Sequence, residues 1–451
     1  MKTLDLLNDN IKTLFFKYLF PSISATMVTS IYILADTIMI GKGVGDNAVA
    51  GLNIILPMFS LFFGLGYLLG NGGAILMSVS LGMKDYKRAQ QYYSTALLLA
   101  FLFSVLFTLL FAISFEPLIR LLGVTDTTYE YVSIYGKFLL YGIPFFIFSP
   151  FLQIFIRNDG AAKKAMSAVV TGGILNIILD YIFIFNFDWD MAGASLATVI
   201  GTFTTFLILC THLFTKNNTL HFRFSSVSIK RVNAIIVNGL SAFFVEISAG
   251  IVIFAFNRQL LIYTGVAGIT VYSILSNTAA VVSSLNNGIA QAAQPIISRN
   301  FGAGRKSRVQ TTMKYGLFSA FTAGAILTIT CFLFPNLVIH AFLNPTKEIY
   351  EMAMLAIRFY SFAFFTMAGN IFLNTYFQSV LRPKLALLIS FLRGFILNLT
   401  FLYLLPLVFH VNGIWLTMPL TEVITLLIAF FLLKRLSLAA KNECKTNILN
   451  S

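Results

Sequence analysis

Apolar residues in this chain fall into long runs separated by short polar segments. The pattern is neither the strict alternation of a half-buried strand nor the narrow stripe of a surface helix. The runs lie at approximately 14–40, 49–77, 92–115, 129–156, 164–186, 191–214, 234–263, 268–298, 313–343, 350–380, 384–409 and 412–433. Each is long enough to cross a bilayer as a helix. The pattern therefore predicts an all-α polytopic membrane protein with twelve transmembrane helices and no sizeable soluble domain. The first run is too long for a cleavable leader and passes into "GKGVGDNA" without a cleavage pattern. Prolines at 21, 57, 144, 150, 295 and 419 fall in or near spans and mark expected bends.

Composition agrees, with 58% hydrophobic and 11% charged residues, and the formal charge of +14 is explained by topology. With the N-terminus assigned to the cytoplasm, the inner segments hold 24 Lys and Arg residues, and the outer loops hold Lys42, Arg120, Arg258 and Lys347. Lys137, Arg358 and Arg393 lie within spans. This bias predicts both termini on the cytoplasmic side of the inner (cytoplasmic) membrane and removes any need for a nucleic-acid partner. The partners expected are the lipid bilayer and small organic molecules, with the chain acting as a monomer. Cys210, Cys331 and Cys444 are far apart and have no metal-binding or disulfide spacing.

The two halves resemble each other at a shift of about 220 residues. "SLGMKDYKRAQ" after the second span corresponds to "NFGAGRKSRVQ" after the eighth, pairing Gly82 with Gly302, Arg88 with Arg308 and Gln90 with Gln310. Tyr129-Glu130 recurs as Tyr350-Glu351, "ILN" at 174–176 recurs at 396–398, and Gly193 and Leu196 recur as Gly413 and Leu416. Six spans per repeat is an even number, so both halves enter from the same side. They are expected to form two six-helix bundles related by a pseudo-twofold axis along the membrane normal, with a cleft between them. The corresponding division is an N-terminal lobe at 1–215, a linker at 216–233, a C-terminal lobe at 234–435 and a tail at 436–451.

Four acids lie well inside spans: Asp36, Asp180, Glu246 and Glu422. An ionised carboxylate in hydrocarbon costs at least ~2.5 kcal/mol even on lenient insertion scales. "GGILNIILDYIFIF" places Asn176 and Asp180 four apart on one helix face, and the next span carries Thr198. At 1.5 Å per residue, Asp36 is ~6–8 Å inside the outer end of its span, and Asp180 and Thr198 are each ~10 Å inside theirs. A lone intramembrane Asn or Thr is commonly a contact between helices. Two carboxylates in the same layer point further, to a hard monovalent cation such as Na+ or to proton exchange through ordered water. Asp180 aligns with Leu402, so the acid pair belongs to the N-terminal half alone.

Glu246 and Glu422 are near mid-depth in the seventh and twelfth spans, where each could line a substrate cavity, protonate, or pair with Arg393. Asn257, further along the seventh span, is a third cavity candidate. The four histidines lie near span ends, and no metal motif or nucleophile triad occurs, so an enzyme is not expected.

Asp36, "LNIILD" with Asn176 and Asp180, and Thr198 in "AGASLATVIG" resemble the N-lobe cation site of the multidrug and toxic compound extrusion (MATE) transporters. "GMKDYKRAQ" resembles that family's loop, Glu422 its span 12 acid in a subgroup of bacterial exporters, and Glu246 the span 7 glutamate of other branches. The C-lobe aspartate of some members has no counterpart in "NIFLNTYFQSV". The resemblance implies two bundles in a V and export of organic, commonly cationic, drugs driven by H+ or Na+ entry, with no cofactor beyond the coupling ion. The alternative on a related fold is a flippase for a lipid-linked precursor, for which more cationic residues along the cleft are expected.

Overall fold

The computed structural model describes residues 5–216, 218–342 and 345–449, with side chains to 436. The tail side chains, Cys444 among them, lie outside the described residues. All regular structure among the described residues is helical.

The N-terminal lobe is built from α1 (Ile11–Gly43), α2 (Asp46–Gly82), α3 (Tyr86–Leu121), α4 (Asp126–Asn158), α5 (Ala162–Tyr181) and α6 (Asp190–Cys210). Polar residues at the loops start these helices. Asn10 accepts from the backbone N–H groups of Lys12 and Thr13, Asp85 from that of Arg88, and Thr125 and Thr128 form a capping box.

The C-terminal lobe follows as α7 (Ile229–Gly302), α8 (Lys306–Leu333), α9 (Pro335–Phe342), α10 (Lys347–Ser379), α11 (Pro383–Phe391), α12 (Leu397–Phe409) and α13 (Val411–Leu449). α7 is 74 residues long, but Gly265 inside it has φ 65° and ψ −151°. That left-handed geometry is open to glycine and breaks the helix into two arms. The break falls between the seventh and eighth predicted spans, so the described chain makes twelve crossings.

Three predicted spans are less regular than hydropathy suggests. The run 313–343 divides into α8 and α9 at Pro335, which has no N–H to continue the ladder. α11 and α12 form one crossing interrupted by a π-turn at Leu392–Ile396, and α5 runs into a second π-turn at Ile182–Asn186.

Each lobe has its own apolar core, and each core takes in the first turns of the other lobe's leading helix. Ile235 of α7 packs in the N-terminal core, whereas Leu14, Phe15 and Tyr18 of α1 pack in the C-terminal one. The inter-lobe linker is held along the start of α3. There the Arg223 N–H donates to Ser94 Oγ (3.2 Å) and the Ser228 N–H to Thr95 Oγ1 (3.0 Å).

The lobes meet closely at the end carrying the basic loops. A Cβ on Gly72 would sit 2.0 Å from the Ile235 carbonyl oxygen, and one on Gly239 would sit 1.9 Å from that of Leu68. Around these crossings Arg157 Nη1 donates to Gln291 Oε1 (2.6 Å), and Asn158 and Gln294 exchange amide hydrogen bonds of 2.9 and 3.0 Å. The outermost inter-lobe hydrogen bond among the described residues joins Ser30 to Ser284. All others lie nearer the basic end.

Candidate ion and substrate site

The glycine pair at 172–173 lets α5 lie against two helices at once. A Cβ on Gly172 would be 2.5 Å from the Gly201 carbonyl oxygen of α6, and one on Gly173 would be 2.9 Å from the Val28 side chain of α1. One turn later Asn176 stands between those helices, its Cβ within 2.8 Å of where a Gly201 side chain would begin. Asp180 follows after another turn, just before the π-turn whose Ile184 and Phe185 pack at Gly43, the end of α1. Asp36 is on that final stretch of α1.

The result is a cluster of acceptor oxygens inside the N-terminal lobe. Asp180 is fully buried, Asn176 is 2% exposed and Asp36 8%. Oδ1 of Asp36, both carboxylate oxygens of Asp180 and Oδ1 of Asn176 are buried without a hydrogen-bond partner. Asn176 Nδ2 donates to Thr198 Oγ1 at 3.4 Å, turning the amide oxygen away from the hydroxyl. Buried acceptors left unpaired cost free energy, and a cation or a shared proton supplies what they lack. Among the described residues no group of three or more His, Cys, Asp or Glu assembles, so a cation here would rely on amide and hydroxyl oxygens beside the carboxylates.

Tyr135 of α4 also reaches the cluster, its hydroxyl 3.5 Å from Thr198 Oγ1. Ser195 Oγ holds the α4 backbone there by donating to the Tyr135 carbonyl (2.8 Å). Nothing in the sequence pattern singled this tyrosine out, because apolar runs rich in rings hide one functional hydroxyl. Below the acids a cavity of about 50 Å³ is lined by Tyr32, Tyr67, Gln153, Asn176, Thr198 and Thr202, among others. On that scale it holds about three water molecules. Asn176 and Thr198 belong both to the acceptor cluster and to the wall of this cavity.

Glu246 lies on the face of α7 turned toward α2, with its Cβ 3.6 Å from the place of a Gly64 side chain. Tyr67, three residues after Gly64 on α2, lines the N-lobe cavity together with Tyr32 of α1. The residue is half-buried, and its carboxylate has no ion-pair partner among the described residues. Asn257 is half-buried further along the same arm.

Glu422 pairs with Arg393, one of the three roles considered for it. It is fully buried inside the C-terminal lobe, where Oε1 accepts from Arg393 Nε (2.5 Å) and Oε2 from Asn370 Nδ2 (2.7 Å). Of the three roles open to it, ion pairing with Arg393 is the one this conformation displays. The α13 positions around it, Thr421 and Thr425, are also fully buried. Lys137 and Arg358, the other basic residues within spans, are exposed.

The geometry has many relatives. The MatE family model matches residues 21–182 and 234–404, one block in each lobe. The chain is 25% identical over 399 residues to the multidrug export protein MepA of Staphylococcus saprophyticus, covering 88% of this chain and 86% of that one. It is 22% identical over 357 residues to the probable multidrug resistance protein YoeA of Bacillus subtilis, with 77% of each chain covered. Among solved structures, an outward-facing conformation of a multidrug resistance MATE family transporter of the MOP superfamily overlays with a TM-score of 0.91. The overlay spans 98% of this chain and 100% of that one at 22% identity. A MATE protein in the bent conformation gives 0.88 over 99% and 100% of the two chains at 22% identity. With both lobes matched by the family model, this multi-pass membrane protein belongs to the MatE family, that of the MATE transporters.

Proposed function

We propose that the protein is a secondary active exporter of organic, commonly cationic, molecules, driven by entry of H+ or Na+ through the N-terminal lobe. The observation that carries this reading is the set of unpartnered acceptor oxygens on Asp36, Asn176 and Asp180. Such an arrangement is costly when empty of positive charge and is relieved by a monovalent cation or a proton. Relatives named as multidrug exporters support the export half of the reading.

In the proposed cycle Asp36 and Asp180 take the coupling ion from the outside. The end of α1 then moves against α5 and α6, whose packing at Gly173 and Gly43 couples the acids to helix position. Movement of α1 reaches the cleft through Tyr32 and lowers the affinity of the outward-facing cavity for its substrate. One charge crossing ~100 mV supplies ~2.3 kcal/mol, which tight coupling converts into roughly fiftyfold accumulation. The excess of Lys and Arg in alternate loops supports cytoplasmic termini. A flippase for a lipid-linked precursor is the weaker reading, because Arg393, half-buried within a predicted span of the C-terminal lobe, is already paired with Glu422.

The test is dye efflux from vesicles of stated orientation under an imposed Na+ or pH gradient, beside translocation of a lipid-linked precursor. Gradient-driven dye movement abolished by Asp180→Asn supports export. Precursor translocation without dye movement overturns it.

A further inference from the structure

A pocket of about 290 Å³ lies where the lobes meet, at the end carrying the basic loops. Its apolar wall is made by Leu76 of α2, Ala234 and Val237 of α7, and Leu381 and Pro383 at the turn from α10 to α11. Two polar groups complete the recognition surface. Lys230 is exposed at the mouth, and Asn238 is buried within, at 2% exposure. Gln378 donates to the Asn238 backbone carbonyl (3.4 Å), while the oxygen and nitrogen of the Asn238 side-chain amide are both without a partner. A buried amide left in that state costs free energy until a ligand or water answers it.

The repeat shows that the architecture does not require this space. Gly45 and Gly265, both with positive φ, fix a shift of 220 between α1 and α7. On that shift Ala234 and Asn238 correspond to Leu14 and Tyr18, and Leu76 corresponds to Ile296. Pro383 corresponds to Ala162 at a shift of 221, each opening its helix. Leu14, Tyr18, Ala162 and Ile296 are buried together in the C-terminal core. Where one copy is filled by leucine and tyrosine, the other has alanine and asparagine and stays open. The turn differs as well, because Leu381 holds φ 54° where Gly160 holds 93°. A leucine in the left-handed region is strained, and this strained residue is one that forms the pocket wall.

The surroundings are cationic. Segments 229–245 and 376–390, which supply the C-lobe side of the pocket, contain no acidic residue. Arg382 and Lys384 flank Pro383 and are exposed. Neither they nor Lys230 belong to an ion pair among the described residues. Basic pockets between transmembrane helices on the cytoplasmic side suit acidic lipid headgroups. The volume lies just under the ~300–1,000 Å³ usual for drug-sized ligands, so it fits a headgroup and the start of its chains.

We propose that this pocket binds an anionic phospholipid, with its phosphate on Lys230, its glycerol or ester oxygens on the Asn238 amide and its first methylenes on the apolar wall. The amide both donates to an ester oxygen and accepts from a hydroxyl, and phosphatidylglycerol supplies each. The assignment is independent of what the protein transports.

Native mass spectrometry of the purified full-length protein reads successive lipid additions, comparing phosphatidylglycerol with phosphatidylcholine of the same chains. The wild type should bind its first phosphatidylglycerol about ten- to hundredfold more tightly, the range for a charge-assisted hydrogen bond. Lys230→Gln should lose most of that preference. Ala234→Leu/Asn238→Tyr, which fills the pocket as the other copy is filled, should lose the tight first addition and keep the weak later ones. Lys230 is exposed, so its variant decides the matter even where the filled one folds poorly. Inorganic phosphate should not displace the lipid, because the apolar wall holds the chains. Equal affinity for the two lipids, an unchanged preference in Lys230→Gln, a filled variant that binds like the wild type, or displacement by phosphate alone each overturns the proposal.

Discussion

Gly82 and Gly302 occupy reciprocal places where the lobes cross. A Cβ on Gly82 would be 2.1 Å from the Arg299 carbonyl oxygen, and one on Gly302 would be 2.0 Å from that of Val79. Each pair maps onto the other by a shift of 220 residues, so the sequence repeat is also a repeat of packing. Backbone lies against backbone at both sites, and no flexible side chain can yield.

Alanine at either position should therefore destabilise the sealed inner end, by about 1–3 kcal/mol for overpacking of this kind. Spin labels on the inner ends of α2 and the second arm of α7 should report a longer distance in Gly82→Ala and Gly302→Ala, and efflux should fall. Unchanged distances in the double variant would show that the crossing is not rigid.

Asp36 and Asp180 should behave as one unit. If they share an ion or a proton, removing either charge disables the site and removing the second adds little. Asp36→Asn, Asp180→Asn and the double variant should all reach the membrane and lose gradient-driven efflux to a similar degree, while dye binding in detergent survives. Multiplying losses, or transport by the double variant, would contradict this.

Gly201→Ala tests the scaffold rather than the charges. Its new Cβ would meet the Asn176 Cβ at 2.8 Å, so Asn176 must shift relative to Thr198. Apparent affinity for the coupling ion should fall roughly tenfold, as expected for a packing strain of ~1.4 kcal/mol, with all four polar side chains present. Ion-dependence curves in vesicles would show the shift, and an unaltered curve would argue against the amide's participation.

Glu246 should discriminate among substrates by charge. Glu246→Gln keeps the shape and removes the negative charge on the face of α7 turned toward α2, so a cationic dye should lose more affinity than a neutral aromatic of similar size. Parallel binding isotherms measure the difference, and equal losses would move Glu246 from substrate contact to coupling.

Orientation is open to direct labelling. Asp46, Asp126 and Asp188 are exposed in the loops assigned to the outside, and Lys84 and Lys306 in those assigned to the inside. Cysteines at the first three positions should react with an impermeant thiol reagent in intact cells, and those at the other two should not. The reverse pattern would invert the topology.

The sequence by itself determined the number of crossings, the repeat and the oxygen-bearing residues of the N-terminal lobe. All three are local or translational properties. Hydrocarbon imposes an apolar run of fixed length on each span, a repeat is read by shifting the chain against itself, and Asn176 and Asp180 share a helix face because they are four apart. Tertiary structure decided what depends on which faces of distant helices meet. It paired Glu422 with Arg393, brought Tyr135 beside Thr198 and gave Gly172 and Gly173 separate neighbours on α6 and α1. It also packed the first turns of α1 and α7 into opposite cores. A transmembrane helix is apolar on nearly every side, so hydropathy carries little information about its orientation. The facing of each helix is set by small residues that allow close approach and by polar groups that must find partners away from lipid.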